Sequence, residues 1–237
     1  MPLLMEKYYY LLINIITISV PLLKSFDQRV RFISRWKGLF LGIFITGFIF
    51  IVWDIAFTRM GVWGFNATYL TGITIVNLPL EEWLFFITVP YACMFIYEAM
   101  NYYLKKDLLG KISYPLTYLL IAVLYVLGFV YIQNWYTGLT FILTASYLLF
   151  LIIIIKPNYL GRFYIGYLIS LVPFLLVNGI LTGSFIPDEI VWYNNAENLS
   201  IRIFTIPIED SMYMLLLLIM NISIYESWKS RNNATTF

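Results

Sequence analysis

The sequence predicts an all-α integral membrane protein with about seven transmembrane helices. Of its 237 residues, 61% are hydrophobic and 12% are charged, whereas about a quarter of the residues in a soluble domain are charged. The mean hydropathy is +0.81. The apolar runs are too long for the short alternating strands of a membrane barrel, so helices are the structure that satisfies the backbone in lipid.

Apolar runs close to the length that crosses a bilayer occur seven times along the chain. The first run is short, and it lacks the basic flank and cleavage site of a signal peptide, so we expect it to be retained. The predicted spans are 8–23, 38–57, 83–104, 113–131, 137–155, 163–181 and 205–228.

Lysine and arginine are distributed unequally between the two sides of these spans, which predicts the orientation. The side with few basic residues carries Lys7, Arg59 and Arg202. The other side carries Lys24, Arg29, Arg31, Arg35, Lys37, Lys105, Lys106, Lys111, Lys156, Arg162, Lys229 and Arg231. We therefore expect a multi-pass protein of the cell (inner) membrane, with its N-terminus outside and its C-terminus in the cytoplasm.

An acidic motif occurs twice, which predicts an internal repeat. Pro-Leu-Glu-Glu at 79–82 corresponds to Pro-Ile-Glu-Asp at 207–210, an offset of 128 residues (207 minus 79). At the same offset, Ile-Tyr-Glu at 96–98 recurs at 224–226. The motifs would then head equivalent helices that end in the same tripeptide.

The repeat predicts a 3+1+3 arrangement of the spans. Residues 1–112 form the first repeat, 113–136 a connector with span four, 137–228 the second repeat, and 229–237 a polar tail. Because an even number of crossings separates equivalent spans, the repeats are parallel rather than inverted. Both motifs then lie on the outer side, where they are able to face one central cavity.

The motif carboxylates are the candidate catalytic residues: Glu81, Glu82, Glu209 and Asp210. Capping of a helix N-terminus is the simpler interpretation, since proline suits the first turn and acidic residues favour that end. However, the motifs border long apolar segments, and a carboxylate near hydrocarbon is by default a functional hypothesis. Neighbouring residues on a helix point about 100° apart, so a single member of each pair is expected to face the cavity.

Three further carboxylates lie elsewhere on the spans. Asp54 is predicted near the acidic motifs, where it completes the acid cluster or pairs with Arg59 or Arg202. Glu98 and Glu226 lie 17 residues beyond the motifs, about 25 Å along a helix, and cannot share that site. We expect them to be paired or solvated.

Aromatic residues near the motifs are candidates for substrate binding and cation stabilisation, because ring faces attract cations. Anchoring at the membrane interface is an equally good interpretation for any one of them. The candidates are Trp63, Trp83, Phe85, Phe86, Trp192 and Tyr213.

Composition excludes several classes of site. The chain has no histidine and a single cysteine, which removes Ser-His-Asp and Cys-His arrangements. A net charge of +2 indicates no nucleic-acid partner, and no glycine-rich nucleotide motif is present.

The duplicated Pro-x-Glu-Glu and Pro-x-Glu-Asp motifs in a seven-span chain resemble those of the membrane-integral lycopene cyclases. This is the heterodimeric type, here as a fused single chain, and the resemblance covers residues 36–228. It implies a lycopene beta-cyclase, an intramolecular lyase (isomerase) that forms β-rings on lycopene or a related linear carotenoid, with no flavin, other cofactor or metal. It also implies that Glu81, Glu82, Glu209 and Asp210 are the acid and base groups.

Other functions stay open at this point. A related carotenoid hydratase would use the same carbocation and add water. A seven-helix retinal protein would need a lysine within its last span, and 205–228 contains none. A transporter fits the repeat but not the placement of the acids toward one side. Beyond the lipid bilayer and the carotenoid, a homo-oligomer is not excluded.

Overall fold

The computed structural model describes residues 5–234, and its main elements are seven long helices. Their bounds lie close to the seven predicted spans. In chain order they are α1 Tyr9–Lys24, α2 Trp36–Met60, α3 Leu80–Tyr103, α4 Gly110–Val130, α5 Trp135–Phe150, α6 Leu160–Leu181 and α7 Glu209–Ala234.

A mostly helical, multi-pass membrane protein is confirmed. The five helices α2 to α6 are long and apolar enough to cross a membrane, whereas α1 is an apolar helix of 16 residues. Helix α7 begins with two acidic residues and continues to Ala234. The predicted polar tail is therefore helical from Lys229 to Ala234, and residues 235–237 lie outside the described part.

Buried hydrogen bonds fasten α1 to α3. The Oγ1 hydroxyl of Thr88 donates to Oδ1 of Asn14 over 2.6 Å, and the Asn14 amide donates to the backbone carbonyl of Glu81 over 3.0 Å. A buried amide without partners would be costly in an apolar bundle. These contacts therefore fix the height of α1 against the helix that carries the first acidic motif.

Two short antiparallel hairpins lead into α3 and α7. The first pairs β2 Thr74–Ile75 with β3 Leu78–Pro79, and the second pairs β5 Arg202–Ile203 with β6 Ile206–Pro207. Each turns through a non-glycine residue in the left-handed region, Val76 at φ 63° and Phe204 at φ 57°. A β-branched residue is uncommon there. The same turn thus occurs twice, 128 residues apart.

A third strand pair joins the loops of the two halves. β1 Trp63–Phe65 runs antiparallel to β4 Val191–Tyr193, and Gly64 lies opposite Trp192. A side chain at position 64 would collide with the Trp192 indole, so the close approach of these strands requires glycine. The pairing closes both loops over the end of the bundle that carries motifs 79–82 and 207–210, called the motif end below.

Candidate active site

Each acidic motif turns from a hairpin directly into a helix. Pro79 has the extended conformation (φ −64°, ψ 149°) of a residue that precedes a helix, and Glu81 and Glu82 lie in the first turn of α3. Glu209 and Asp210 lie in the first turn of α7. The helix dipole favours negative charge at these positions, and all four carboxylates are buried.

Within each motif the two carboxylates point to different surroundings. Oε1 of Glu81 accepts the backbone N–H of Thr71 over 2.8 Å, and Oε1 of Glu209 accepts that of Leu199 over 2.8 Å. Both acceptor and donor are 128 residues apart between the halves. Glu81 and Glu209 therefore hold the preceding loops against the helices, and neither lines the cavity that the second acid of each motif faces.

Glu82 and Asp210 line one cavity at the motif end, with a volume of about 50 Å³, room for about four water molecules. Its polar lining also includes Tyr10, Asp54, Tyr136, Asn178 and Tyr193. Apolar residues of α3, α6 and α7 extend it toward the middle of the bundle: Phe85, Phe174, Leu181, Met214 and Leu217. The fold thus brings one motif acid from each half, and Asp54, into one enclosed space.

Asp210 accepts hydrogen bonds from three side chains. Tyr136 donates its hydroxyl to Oδ1. Oδ2 accepts from the Asn178 amide over 2.5 Å and from the Tyr193 hydroxyl over 3.1 Å. Three donors stabilise a carboxylate in its ionised form.

The Tyr193 phenol lies in β4, outside the helices. Burial, and after it the nearby charge of Asp210, raise the pKa of Tyr193 well above its ordinary value. The hydroxyl therefore keeps its proton at physiological pH and stays a hydrogen-bond donor to Asp210.

Glu82 and Asp54 have different surroundings from Asp210. The Tyr10 hydroxyl donates to Oε2 of Glu82 over 2.5 Å. Oδ1 of Asp54 accepts from the indole N–H of Trp63 over 2.5 Å and from the Thr58 hydroxyl over 3.2 Å. Oδ2 of Asp54 is buried without a hydrogen-bond partner.

Aromatic rings surround the space between these acids. Tyr136 stacks on Tyr193 with ring centroids 5.7 Å apart, and Trp63 meets Tyr136 edge-on at 5.1 Å. Tyr213 packs against Trp53 at 5.1 Å. Such ring faces stabilise a cation by their quadrupole and exclude water from the space they enclose.

No basic side chain neutralises these acids. The ion pairs among residues 5–234 involve only Glu98 and Glu226, at the opposite end of the bundle. This confirms that Glu98 and Glu226 are paired. Arg202 does not pair with Asp54; it lies over the Tyr193 ring and donates to the carbonyl of Thr205. Several carboxylates are thus buried together without a cation, an arrangement that is costly unless some of them are protonated.

The predicted aromatic residues divide between two locations. Trp63, Phe85 and Tyr213 line the cavity. Phe86 packs behind it against Phe50 at 6.2 Å, Trp83 is half-buried outside the lining, and Trp192 covers Gly64.

Sequence reasoning did not single out Tyr10, Tyr136 or Phe174. Tyr10 and Tyr136 both donate to a cavity carboxylate, one in each half, and they are 126 residues apart (136 minus 10). The repeat offset of 128 with a two-residue shift would have found this pair. Among the described residues, no group of three cysteine or acidic side chains is arranged to hold a metal ion.

Comparison with known proteins identifies the family. The family model described as lycopene cyclase matches residues 7–100 and 133–228, which together make up most of the chain. No curated protein and no solved structure matches. The two matched segments contain both acidic motifs and every polar residue of the cavity lining. The chain belongs to the lycopene cyclase family.

Proposed function

We propose that this cyclase forms β-ionone rings on the linear ends of lycopene by proton-initiated, non-redox cyclisation. One observation carries the proposal. Asp210, with three hydrogen-bond donors, shares an enclosed aromatic cavity with a pair of acids, Asp54 and Glu82, that has no cation. The site thereby offers an ionised carboxylate and a protonated one to the same substrate.

We assign the acid to the Asp54 and Glu82 pair. Two carboxyl groups buried in one cavity without a counter-cation resist ionising together, so one of them keeps a proton. Trp63 and Tyr10 stabilise negative charge on the group that has lost its proton. The base is Asp210, whose three donors favour the ionised form before the reaction starts.

The reaction conserves atoms and electrons. The acid adds a proton to the terminal double bond of the substrate, which leaves a tertiary carbocation. The next double bond of the end group attacks this carbon, so a carbon–carbon bond closes the six-membered ring and moves the cation. Asp210 removes a ring proton, which restores a double bond. The acid regains a proton from solvent, and the product is an isomer of the substrate.

The aromatic lining suits these cationic intermediates. Trp63, Tyr136, Tyr193 and Tyr213 face one another around the cavity, and their rings stabilise positive charge without acting as nucleophiles. The cavity is smaller than a carotenoid end group. Apolar side chains such as Phe174 and Met214 therefore move aside when the substrate enters from the middle of the bilayer.

The motif residues that do not line the cavity have a positioning role in this proposal. Glu81 and Glu209 hold the loops that precede α3 and α7. Those loops include β1 and β4, which carry Trp63 and Tyr193 to the cavity.

We propose that the chain is a parallel 3+1+3 repeat in which α4 is the connector. The matched turns Val76 and Phe204, and the matched loop contacts of Glu81 and Glu209, support this division. The distribution of basic residues supports an N-terminus outside, a C-terminus in the cytoplasm, and a location in the inner cell membrane. The cavity then opens near the outer face.

Expression in a host that accumulates lycopene tests the proposed activity. Chromatography of the pigments should show carotenoids with β-rings when the protein is present in the membrane. Unchanged lycopene, with the protein detected in the membrane, would contradict the proposal. A hydroxylated product would instead assign the chain as a carotenoid hydratase, which captures the same cation with water.

A further inference from the structure

A second cavity, which cyclisation does not use, lies at the opposite end of the bundle. It has a volume of about 750 Å³ and lies between α3, α6, α7 and the start of α2. Its charged lining consists of four basic and three acidic side chains: Arg35, Lys105, Arg162, Lys229, Glu98, Asp107 and Glu226. We call it the basic-end cavity.

One wall of the basic-end cavity is close to neutral. Glu98, whose side chain is fully buried, pairs with Arg35 and, over 3.3 Å, with Lys229. Lys229 also lies 3.5 Å from Glu226, which accepts a hydrogen bond from Tyr97. The two cations on this wall offset its two carboxylates, so the wall fixes the ends of α2, α3 and α7 relative to one another.

The other wall has an excess of positive charge. Arg162 donates to Oδ1 of Asn101 over 3.3 Å and to the carbonyl of Lys105 over 3.4 Å. Within residues 5–234, neither Arg162 nor Lys105 forms an ion pair. Asp107 accepts the backbone N–H of Leu109 over 3.2 Å. The first turn of α6, which holds Arg162, contains no acidic residue, so its N-terminal dipole adds to the positive potential.

A small apolar notch adjoins this positive wall. It shares Asn101 and Arg162 with the basic-end cavity and is otherwise lined by Met100, Leu104, Ile165 and Lys106. Below it on α6, Leu168 and Val172 are 57% and 63% exposed. A polar, positively charged cavity thus continues into an apolar path along the surface that faces the bilayer.

We propose that the basic-end cavity binds the phosphate of an anionic phospholipid. Basic pockets between transmembrane helices on the cytoplasmic side bind such headgroups. Arg162 and Lys105 contact the phosphate, because they are the two cations that no carboxylate neutralises. One acyl chain lies in the notch and along α6. The continuous apolar path favours a lipid over free phosphate, which would not use it.

Native mass spectrometry of the full-length protein in detergent tests this proposal. The protein is titrated with phosphatidylglycerol and, separately, with phosphatidylcholine of the same acyl chains. We expect tighter binding of phosphatidylglycerol to the wild type. Arg162→Gln and Lys105→Gln should each weaken it by about fivefold. Lys105 is exposed and its side chain has no partner among the described residues, so that variant keeps the fold.

Lys111→Gln is the matched control, since Lys111 is an exposed lysine at the same end that does not line the cavity. It should leave the affinity for phosphatidylglycerol unchanged. An equal loss in Lys111→Gln, or equal binding of the two lipids by the wild type, would overturn the proposal. Displacement of phosphatidylglycerol by millimolar inorganic phosphate would identify the free anion as the ligand and overturn the assignment to a lipid.

Discussion

Asn178 donates a hydrogen bond from its amide to Oδ2 of Asp210 over 2.5 Å, between α6 and α7. In the first half, Asp54 occupies a comparable position beside Glu82, since both line the same cavity. One half therefore presents an amide and a carboxylate, and the other presents two carboxylates. This difference gives the two halves unequal chemical roles within one site.

Replacing Asn178 tests the proposed role of Asp210 as base. Asn178→Leu removes one of three donors, so the ionised form of Asp210 is less stable and turnover should fall about 10- to 100-fold. The measurement is the initial rate of cyclisation in membranes with matched protein content. Asn221→Leu removes a buried amide three turns further along α7 and should leave that rate within about twofold. Equal losses in both variants would indicate a general effect on folding.

Tyr136 is expected to matter for the same reason. Tyr136→Phe keeps the ring but removes the hydroxyl that donates to Asp210, and we expect turnover to fall about tenfold. Tyr164→Phe is the control, because its buried hydroxyl is hydrogen-bonded to Thr117 away from the cavity. A Tyr136→Phe enzyme with the wild-type rate would show that this hydrogen bond does not support catalysis.

Conservative changes separate the acids of the cavity from the acids of the loops. Glu82→Gln and Asp210→Asn remove the proton-transfer groups, and we expect each to lower turnover by about 100-fold or more. Glu81→Gln and Glu209→Gln keep an oxygen that accepts the loop N–H, so most activity should remain. Product formation per unit of membrane protein is the measurement. Full loss in Glu81→Gln or Glu209→Gln, with normal protein levels, would place those residues in the chemistry.

The proposed orientation predicts which positions are accessible from each side of the membrane. The native cysteine, Cys93, is buried, so single introduced cysteines report their own location. In intact cells, Phe204→Cys should react with a membrane-impermeant maleimide, because Phe204 is 88% exposed at the motif end. Lys111→Cys should react only after the membrane is permeabilised. The reverse pattern would invert the topology.

Much of the fold was predictable because long apolar runs give a strong signal. The seven helices lie close to the predicted spans, and the motif acids lie in first helical turns, as the prolines predicted. The hairpins were not predicted. Their strands are only two residues long, too short to show alternation, and Val76 is not a residue type that indicates a left-handed turn.

The site was predictable in part. The repeat correctly brought the two motifs to one end, but it could not show which acid of each pair faces the cavity. That choice depends on whether a loop N–H, such as that of Thr71, reaches the neighbouring carboxylate. Tyr10 lies 72 residues from its partner Glu82. Contacts of this kind depend on how the helices pack, which the order of residues along one helix does not reveal.

Cyclisation in deuterated water tests the central claim most directly. If a solvent-exchangeable carboxylic acid of the cavity protonates the terminal double bond, each new β-ring should carry one deuterium, at the carbon that the acid protonates. Mass spectrometry of the purified carotenoid would then show an increase of one mass unit per ring. Rings formed at the normal rate without deuterium would contradict proton-initiated cyclisation by these carboxylates.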